Sequence, residues 1–321
     1  MKYRNLGRTA LKVSELCLGT MNFGPRTSEA DASRILDDAI AAGINFIDTA
    51  NQYGGHLGVG TTESILGRWL KQNKDERDQL VLATKVYEPM SEDVNDRGLS
   101  ARHIIQACEA SLKRLNVDHI DLYQMHHLDR VASPDEIWQA MDTLIQQGKI
   151  VYVGSSNFPG WVIAKTNENA RFNNRLGLAS EQSIYSLLER RIELEVLPAC
   201  RNFGVGVIAW SPLAGGLLAK PSDRETGRRS SSEAIAERAN LQRQLDAFAK
   251  VCAEIGQSPE NVALAWVLHQ SGITAVAIGP ATQAQLSSAI SVCDLELTDE
   301  ILAGLDQIFP ACGEAPEAYA W

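Results

Sequence analysis

Eight short β-rich apolar runs, separated by longer amphipathic segments, predict an α/β fold of the (β/α)8 TIM-barrel type. Regular alternation of this kind implies a parallel sheet with right-handed crossovers. The length of 321 residues suits a barrel, one of the few single domains that routinely reaches this size. Residues 1–321 are read as one such domain. A doubly wound sheet, the competing arrangement, would show Gly-x-Gly-x-x-Gly after a strand. No run is followed by one, and Gly54-Gly55-His56-Leu57-Gly58 has the wrong spacing and follows polar residues.

In chain order, Tyr3 to Ser14 reads as an N-terminal β-hairpin with Gly7-Arg8 at its turn, placed to plug the bottom of the barrel. The first four barrel strands are Leu16 to Thr20, Asn45 to Ala50, Leu80 to Lys85 and Asp121 to His126. The next four are Tyr152 to Asn157, Gly177 to Gln182, Gly206 to Ser211 and Thr274 to Gly279. Ala30 to Ala42 has Ile35, Leu36, Ala39 and Ile40 on one helical face, with Gly43 as its C-terminal cap. Ser100 caps a second helix to Leu115, with Ile104, Ile105, Cys108, Leu112 and Leu115 at helical spacing. Trp138 to Ile145 and Val262 to His269 repeat the pattern. Ala214 to about Gln242, rich in Gly, Ser and charge, is too long for an ordinary connection. It reads as a long lid loop after the seventh barrel strand.

Composition excludes several classes. Thirty basic against forty acidic residues give a net charge of −10, which argues against a nucleic-acid partner. A hydrophobic fraction of 45% with 22% charged residues fits a globular chain with a large core. Apolar runs such as Val205 to Trp210 fall far short of the roughly 20 residues of a membrane span. The start, Met1 to Arg8, has no apolar stretch of signal-peptide length, so a cytoplasmic location is expected. Cys17, Cys108, Cys200, Cys252, Cys293 and Cys312 show neither Cys-x-x-Cys nor a His at ligand spacing, so reduced thiols and no metal site are expected. Oligomeric state is not written in the sequence.

Barrel enzymes carry catalytic groups at the C-terminal ends of their strands. Here those ends read Gly19-Thr20-Met21, Asp48-Thr49-Ala50, Lys85, His126-His127, Ser155-Ser156-Asn157, Glu181-Gln182 and Trp210-Ser211-Pro212. Tyr53 follows Asp48 on a Gly-flanked turn. A phenol with its ordinary pKa of about 10 is a weak acid at neutral pH unless a cation stabilises the phenolate. Lys85 is such a cation, Asp48 keeps it charged and oriented, and His126 can hydrogen-bond a carbonyl oxygen. The set is suited to protonating a carbonyl oxygen while hydride reaches carbon. No side chain delivers hydride, so a nicotinamide cofactor is implied.

These segments resemble the aldo-keto reductase superfamily over essentially the whole chain. The resemblance is carried by Leu18 to Met21, Gly43 to Ala50 with Tyr53, Glu63 to Gly67 with its Glu-x-x-x-Gly spacing, and Ala83-Thr84-Lys85. Asp121 to His126, Gly154 to Phe158 and Trp210 to Leu213 complete it. It implies a catalytic tetrad of Asp48, Tyr53, Lys85 and His126, with His126 rather than His127 because it keeps the family's spacing from Asp121. It further implies that Ser156, Asn157 and Gln182 hold the nicotinamide carboxamide and that Trp210 stacks on the ring. Ser211, Leu213 and Gly215 would follow the pyrophosphate, with Arg228 or Arg229 of the lid as a phosphate contact. Gly19, Thr20, Met21, Asp48, Pro212, Gly279, Thr282 and Gln285 complete the expected cofactor contacts.

One stretch departs from the pattern. Gly279 to Ala289 contains no basic residue, and Ala289 stands where NADP-binding relatives often show Asn. Backbone groups, Thr282 and a lid arginine are left to meet a 2′-phosphate, so NADPH is expected first and NADH second. The activity implied is reduction of a small aldehyde or ketone. Val94 to Ile104 with Gln124 to His127 is also similar to nucleotide-deoxysugar 2,3-enoyl reductases, which makes conjugated C=C reduction the alternative. A cofactor-sensing subunit like the potassium-channel β subunits is the third reading.

Overall fold

The computed structural model describes residues 1–220, 236 and 238–315. The chain opens with an antiparallel hairpin, β1 (Tyr3–Asn5) and β2 (Lys12–Ser14). Leu6 and Val13 of this hairpin are fully buried among Cys17, Phe46, Val81, Ala83, Leu122, Ala179, Ile208 and Ala275, the lower interior of the barrel. The hairpin is therefore the expected plug. At its turn Gly7 (φ +55°) lies so close to the chain beneath that a β-carbon would stand 2.5 Å from the Gly204 carbonyl oxygen and 2.6 Å from the Gly206 nitrogen. Only glycine fits there. The Arg8 guanidinium closes the turn onto the carbonyls of Phe203 and Leu176.

Eight parallel strands follow and close on themselves: β3 (Leu16–Gly19), β4 (Phe46–Asp48), β5 (Val81–Val86), β6 (Ile120–Met125), β7 (Ile150–Ser156), β8 (Leu178–Ile184), β9 (Gly206–Trp210) and β10 (Ile273–Ile278). Each pairs with the next, and β10 pairs back with β3. Between them run α1 (Glu29–Ala41), α2 (Thr61–Gln72), α3 (Ala101–Leu115), α4 (Pro134–Gln146), α5 (Gly160–Phe172), α6 (Val196–Phe203), α7 (Gln242–Glu254) and α8 (Pro259–His269). After β10 come α9 (Gln283–Ser291) and α10 (Asp299–Ile308).

Helix starts are set by local chemistry. Ser100 accepts a hydrogen bond from the His103 amide, and Ser133 and Ser258 do the same at α4 and α8, each followed by Pro at the first turn. These Ser-Pro starts put α4 four residues before Trp138 and α8 three before Val262, earlier than apolar spacing suggests. The α2, α5, α6, α7, α9 and α10 helices are additional to those read from periodicity. At α2 only the Glu63 to Gly67 spacing gave a sign of it. Most of the stretch expected to form a lid, including Arg228 and Arg229, lies outside the described residues. Among the described residues no helix is long and apolar enough to cross a membrane.

Candidate active site

Side chains alternate across a strand, so residues two apart share the barrel interior. Above the apolar plug this places Asp48, Lys85, Gln124 and Gln182 in one layer. Lys85 is completely buried and forms an ion pair with Asp48 Oδ2, whose side chain is also almost fully enclosed. Its ammonium donates to the Thr49 carbonyl at 2.9 Å and lies 3.4 Å from the Tyr53 hydroxyl. The second oxygen of Asp48 accepts from Gln124 Nε2 at 2.9 Å and Gln182 Nε2 at 3.0 Å. Burial pushes the Lys85 pKa down, but the charge and hydrogen bonds of Asp48 and Tyr53 outweigh it, so the pKa stands above the lysine norm. The ammonium form is therefore held.

Tyr53 is fixed from both sides: its amide bonds the Ala50 carbonyl at 3.1 Å, and its carbonyl receives the Thr62 amide at the start of α2, also at 3.1 Å. His126 stands one residue past β6, its amide bonded to Val86 at 2.9 Å, with its ring edge-on to Tyr53 at 5.9 Å between centroids. Burial, then the nearby Lys85 charge, then His127 lower the His126 pKa to about 2, so the ring is neutral. Its Nδ1 is buried without a protein hydrogen-bond partner. The structure thus brings Asp48, Tyr53, Lys85 and His126 together.

His127 points elsewhere. Its ring stacks on His126 at 4.9 Å with planes 13° apart, and its Nε2 meets Glu88 at 3.1 Å beside Tyr87. Glu88, His126 and His127 bring three ligand atoms within 4.8 Å of one another. With the rings parallel, the in-plane lone pairs of the two imidazoles do not converge.

The remaining expected contacts ring the same end of the barrel. Gly19 pairs in register with Asp48, and Thr20 Oγ1 donates to the Asp48 carbonyl at 3.0 Å. Met21 is 40% exposed at the rim. Ser156 Oγ bonds the Gln182 carbonyl at 2.8 Å. Asn157, in the left-handed region at φ +59°, donates from Nδ2 to the His126 carbonyl (3.2 Å) and receives Trp210 Nε1 on Oδ1 (3.2 Å). Gln182 spends its Nε2 on Asp48, and so ties the expected carboxamide contact into the tetrad itself. After β9, Ser211, Ala214, Gly215 and Gly216 all have positive φ, and Pro212 and Leu213 lie within that turn. Gly279 receives Asn22 Nδ2 at 2.7 Å on its carbonyl. Thr282 and Gln285 use their side chains locally: Thr282 caps α9, and Gln285 Oε1 accepts the Ala281 amide at 2.7 Å. Arg228 lies outside the described residues.

Sequence reading named Gln124 only within a motif and did not assign it to the site. The signal was its position two residues before His126, which stands just past the same strand.

A family model described as the Aldo/keto reductase family matches residues 15–309. The whole chain is 52% identical to the whole of an uncharacterized oxidoreductase, YrpG, of Bacillus subtilis. It is 32% identical to the norsolorinic acid reductase stcV of Emericella nidulans, over 94% of this chain and 79% of that protein. A probable voltage-gated potassium channel subunit beta of Arabidopsis thaliana is 29% identical over 99% of this chain and all of its own length.

Proposed function

The chain belongs to the aldo/keto reductase family, and from that premise we propose that it reduces a small aldehyde or ketone to the alcohol, with NADPH as the first-choice cofactor and NADH as the second. The observation that carries this reading is the cluster of Asp48, Tyr53, Lys85 and His126. Tyr53 gives its hydroxyl proton to the carbonyl oxygen. The Lys85 ammonium, 3.4 Å away, stabilises the phenolate left behind, and Asp48 keeps that ammonium charged and in place. Neutral His126 offers a ring N–H to the same oxygen and fixes the pose of the substrate. The cofactor, when bound, supplies hydride to the carbonyl carbon.

The residues present suit such a cofactor. Ser156, Asn157 and Gln182 offer the hydroxyl and amide groups that a carboxamide needs, beside the partly buried Trp210 ring. Ser211 and the consecutive residues Ala214 to Gly216 have positive φ, and a β-carbon on Gly215 would meet nothing within 4 Å, so the chain there is open to close approach by a ligand. The same reading places the protein in the cytoplasm, consistent with free cysteines throughout, five of them buried.

Titration with NADPH and with NADH, followed by tryptophan fluorescence, tests the cofactor, and micromolar binding of either is expected. Tyr53→Phe tests the chemistry. Turnover should fall by about 10²–10⁴-fold with cofactor affinity retained, and full activity in that variant would remove Tyr53 from the role.

A further inference from the structure

Glu181 is completely buried, yet it takes no part in the chemistry above. Its neighbour Gln182 reaches into the barrel, so alternation turns Glu181 outward, behind the sheet. There its carboxyl group accepts from Ser155 Oγ, from Ser183 Oγ at 2.8 Å and from the Phe158 amide at 3.1 Å. Every one of these partners is neutral. A buried carboxyl group served only by neutral donors is costly, and burial raises its pKa to about 7 against those hydrogen bonds.

What the three donors share is their location. Ser155 is the penultimate residue of β7, Phe158 lies in the corner into α5, and Ser183 lies on the neighbouring strand. The front of this corner presents Ser156 and Asn157 to the site. Asn157 holds a left-handed conformation there, at φ +59°. From the front Asn157 is tied to His126 and Trp210, and from behind Glu181 holds Ser155 and Phe158, the residues on either side of the Ser156–Asn157 pair. The carboxyl group has two oxygens to share among these donors, and a carboxamide in its place turns one of them into an NH2 group facing donors.

We propose that Glu181 is a positioning residue for the nicotinamide end of the cofactor, holding the Ser155 to Phe158 corner so that Ser156 and Asn157 face the carboxamide and Trp210, bonded to Asn157, faces the ring. This rests on the reductase reading given above. The role requires that loss of Glu181 weaken recognition of the nicotinamide while leaving the adenosine end untouched.

The test uses the full-length protein and two probes, NADPH and 2′-phospho-ADP-ribose, which lacks the nicotinamide. In Glu181→Gln the dissociation constant for NADPH should rise about 10-fold, a loss of about 1.4 kcal/mol, while that for the fragment stays within a factor of two. Ser183→Ala, which removes one donor and keeps the carboxyl group, should move the NADPH constant the same way by less, and keeps the test open if Glu181→Gln folds poorly. Equal weakening of both probes would show general loosening and overturn the proposal, as would unchanged NADPH affinity in both variants. If the wild-type protein binds neither NADPH nor NADH, the cofactor reading itself falls, a result distinct from the other two.

Discussion

The Lys85 ammonium touches Asp48 on one side and stands 3.4 Å from the Tyr53 hydroxyl on the other, so one buried charge serves both an ion pair and a phenol. The pair is sealed, with side-chain exposures of 0% and 5%. Removing the cation strands a carboxylate whose remaining donors are the amides of Gln124 and Gln182. Breaking a buried pair from one side costs about 3–5 kcal/mol. Lys85→Met should therefore lower stability by that amount in urea unfolding, and abolish turnover with it. An unchanged unfolding midpoint would mean that Asp48 finds compensation elsewhere.

A second prediction concerns the Glu-x-x-x-Gly spacing on α2. Glu63, fully buried, accepts from Thr84 Oγ1 at 2.6 Å and from Arg114 Nε at 2.7 Å, and so binds α2 to β5 and α3. Gly67, one turn later, lies against α3 so closely that a β-carbon would collide with the Arg114 carbonyl. That obstacle is backbone and cannot swing aside. Gly67→Ala should destabilise by about 1–3 kcal/mol in denaturant unfolding, and wild-type stability would show that the helices separate freely.

The same two residues show how far the sequence could be read. The spacing of Glu63 and Gly67 was visible as a motif, but its reason, a helix crossing, exists only in three dimensions. Tyr53 was read from the turn after Asp48, and strand ends showed Asp48, Lys85 and His126 because ionisable residues closing apolar runs stand out. Gln124 did not, since an uncharged amide inside an apolar run looks like an ordinary strand residue until its partner Asp48 is placed. Helix α5 was missed for a different reason. It buries Thr166 and Asn167 along with Val162, Ile163 and Ala170, while Trp161 and Phe172 are exposed, which blurs its apolar stripe. The outward-facing side of β8 was equally silent, because nothing in the order Glu181-Gln182 says which of the two enters the barrel.

His126 supplies a third prediction. Its pKa of about 2, set first by burial and then by the Lys85 and His127 charges, lies well below that of an unfolded histidine. The unfolded chain therefore binds the proton that the folded one refuses. The stability tied to this residue is complete above about pH 6.5 and is lost as pH falls toward 2. In a heteronuclear NMR titration, the ring resonance that disappears in His126→Gln should not move between pH 5 and 8. A midpoint near 6.5 for that resonance would mean a solvated imidazole and remove its role as a neutral donor.

For Glu181 the sign is reversed. Its folded pKa of about 7, raised by burial, lies above the unfolded value near 4.3. Between those values the folded protein holds a proton that the unfolded chain has released. The stability contribution is therefore complete below about pH 4 and is lost as pH rises through 7. Above pH 7 the ionised group costs on the order of 3 kcal/mol relative to acid. Glu181→Gln has nothing to titrate, so its melting temperature should gain on that of the wild type as pH rises from 5 to 8, measured by circular dichroism. A difference that stays flat with pH would mean that the carboxyl group is solvated and free to move. A gain means that the fold carries a destabilising carboxylate directly behind Ser156 and Asn157, which is the trade expected where a group serves the site rather than the core.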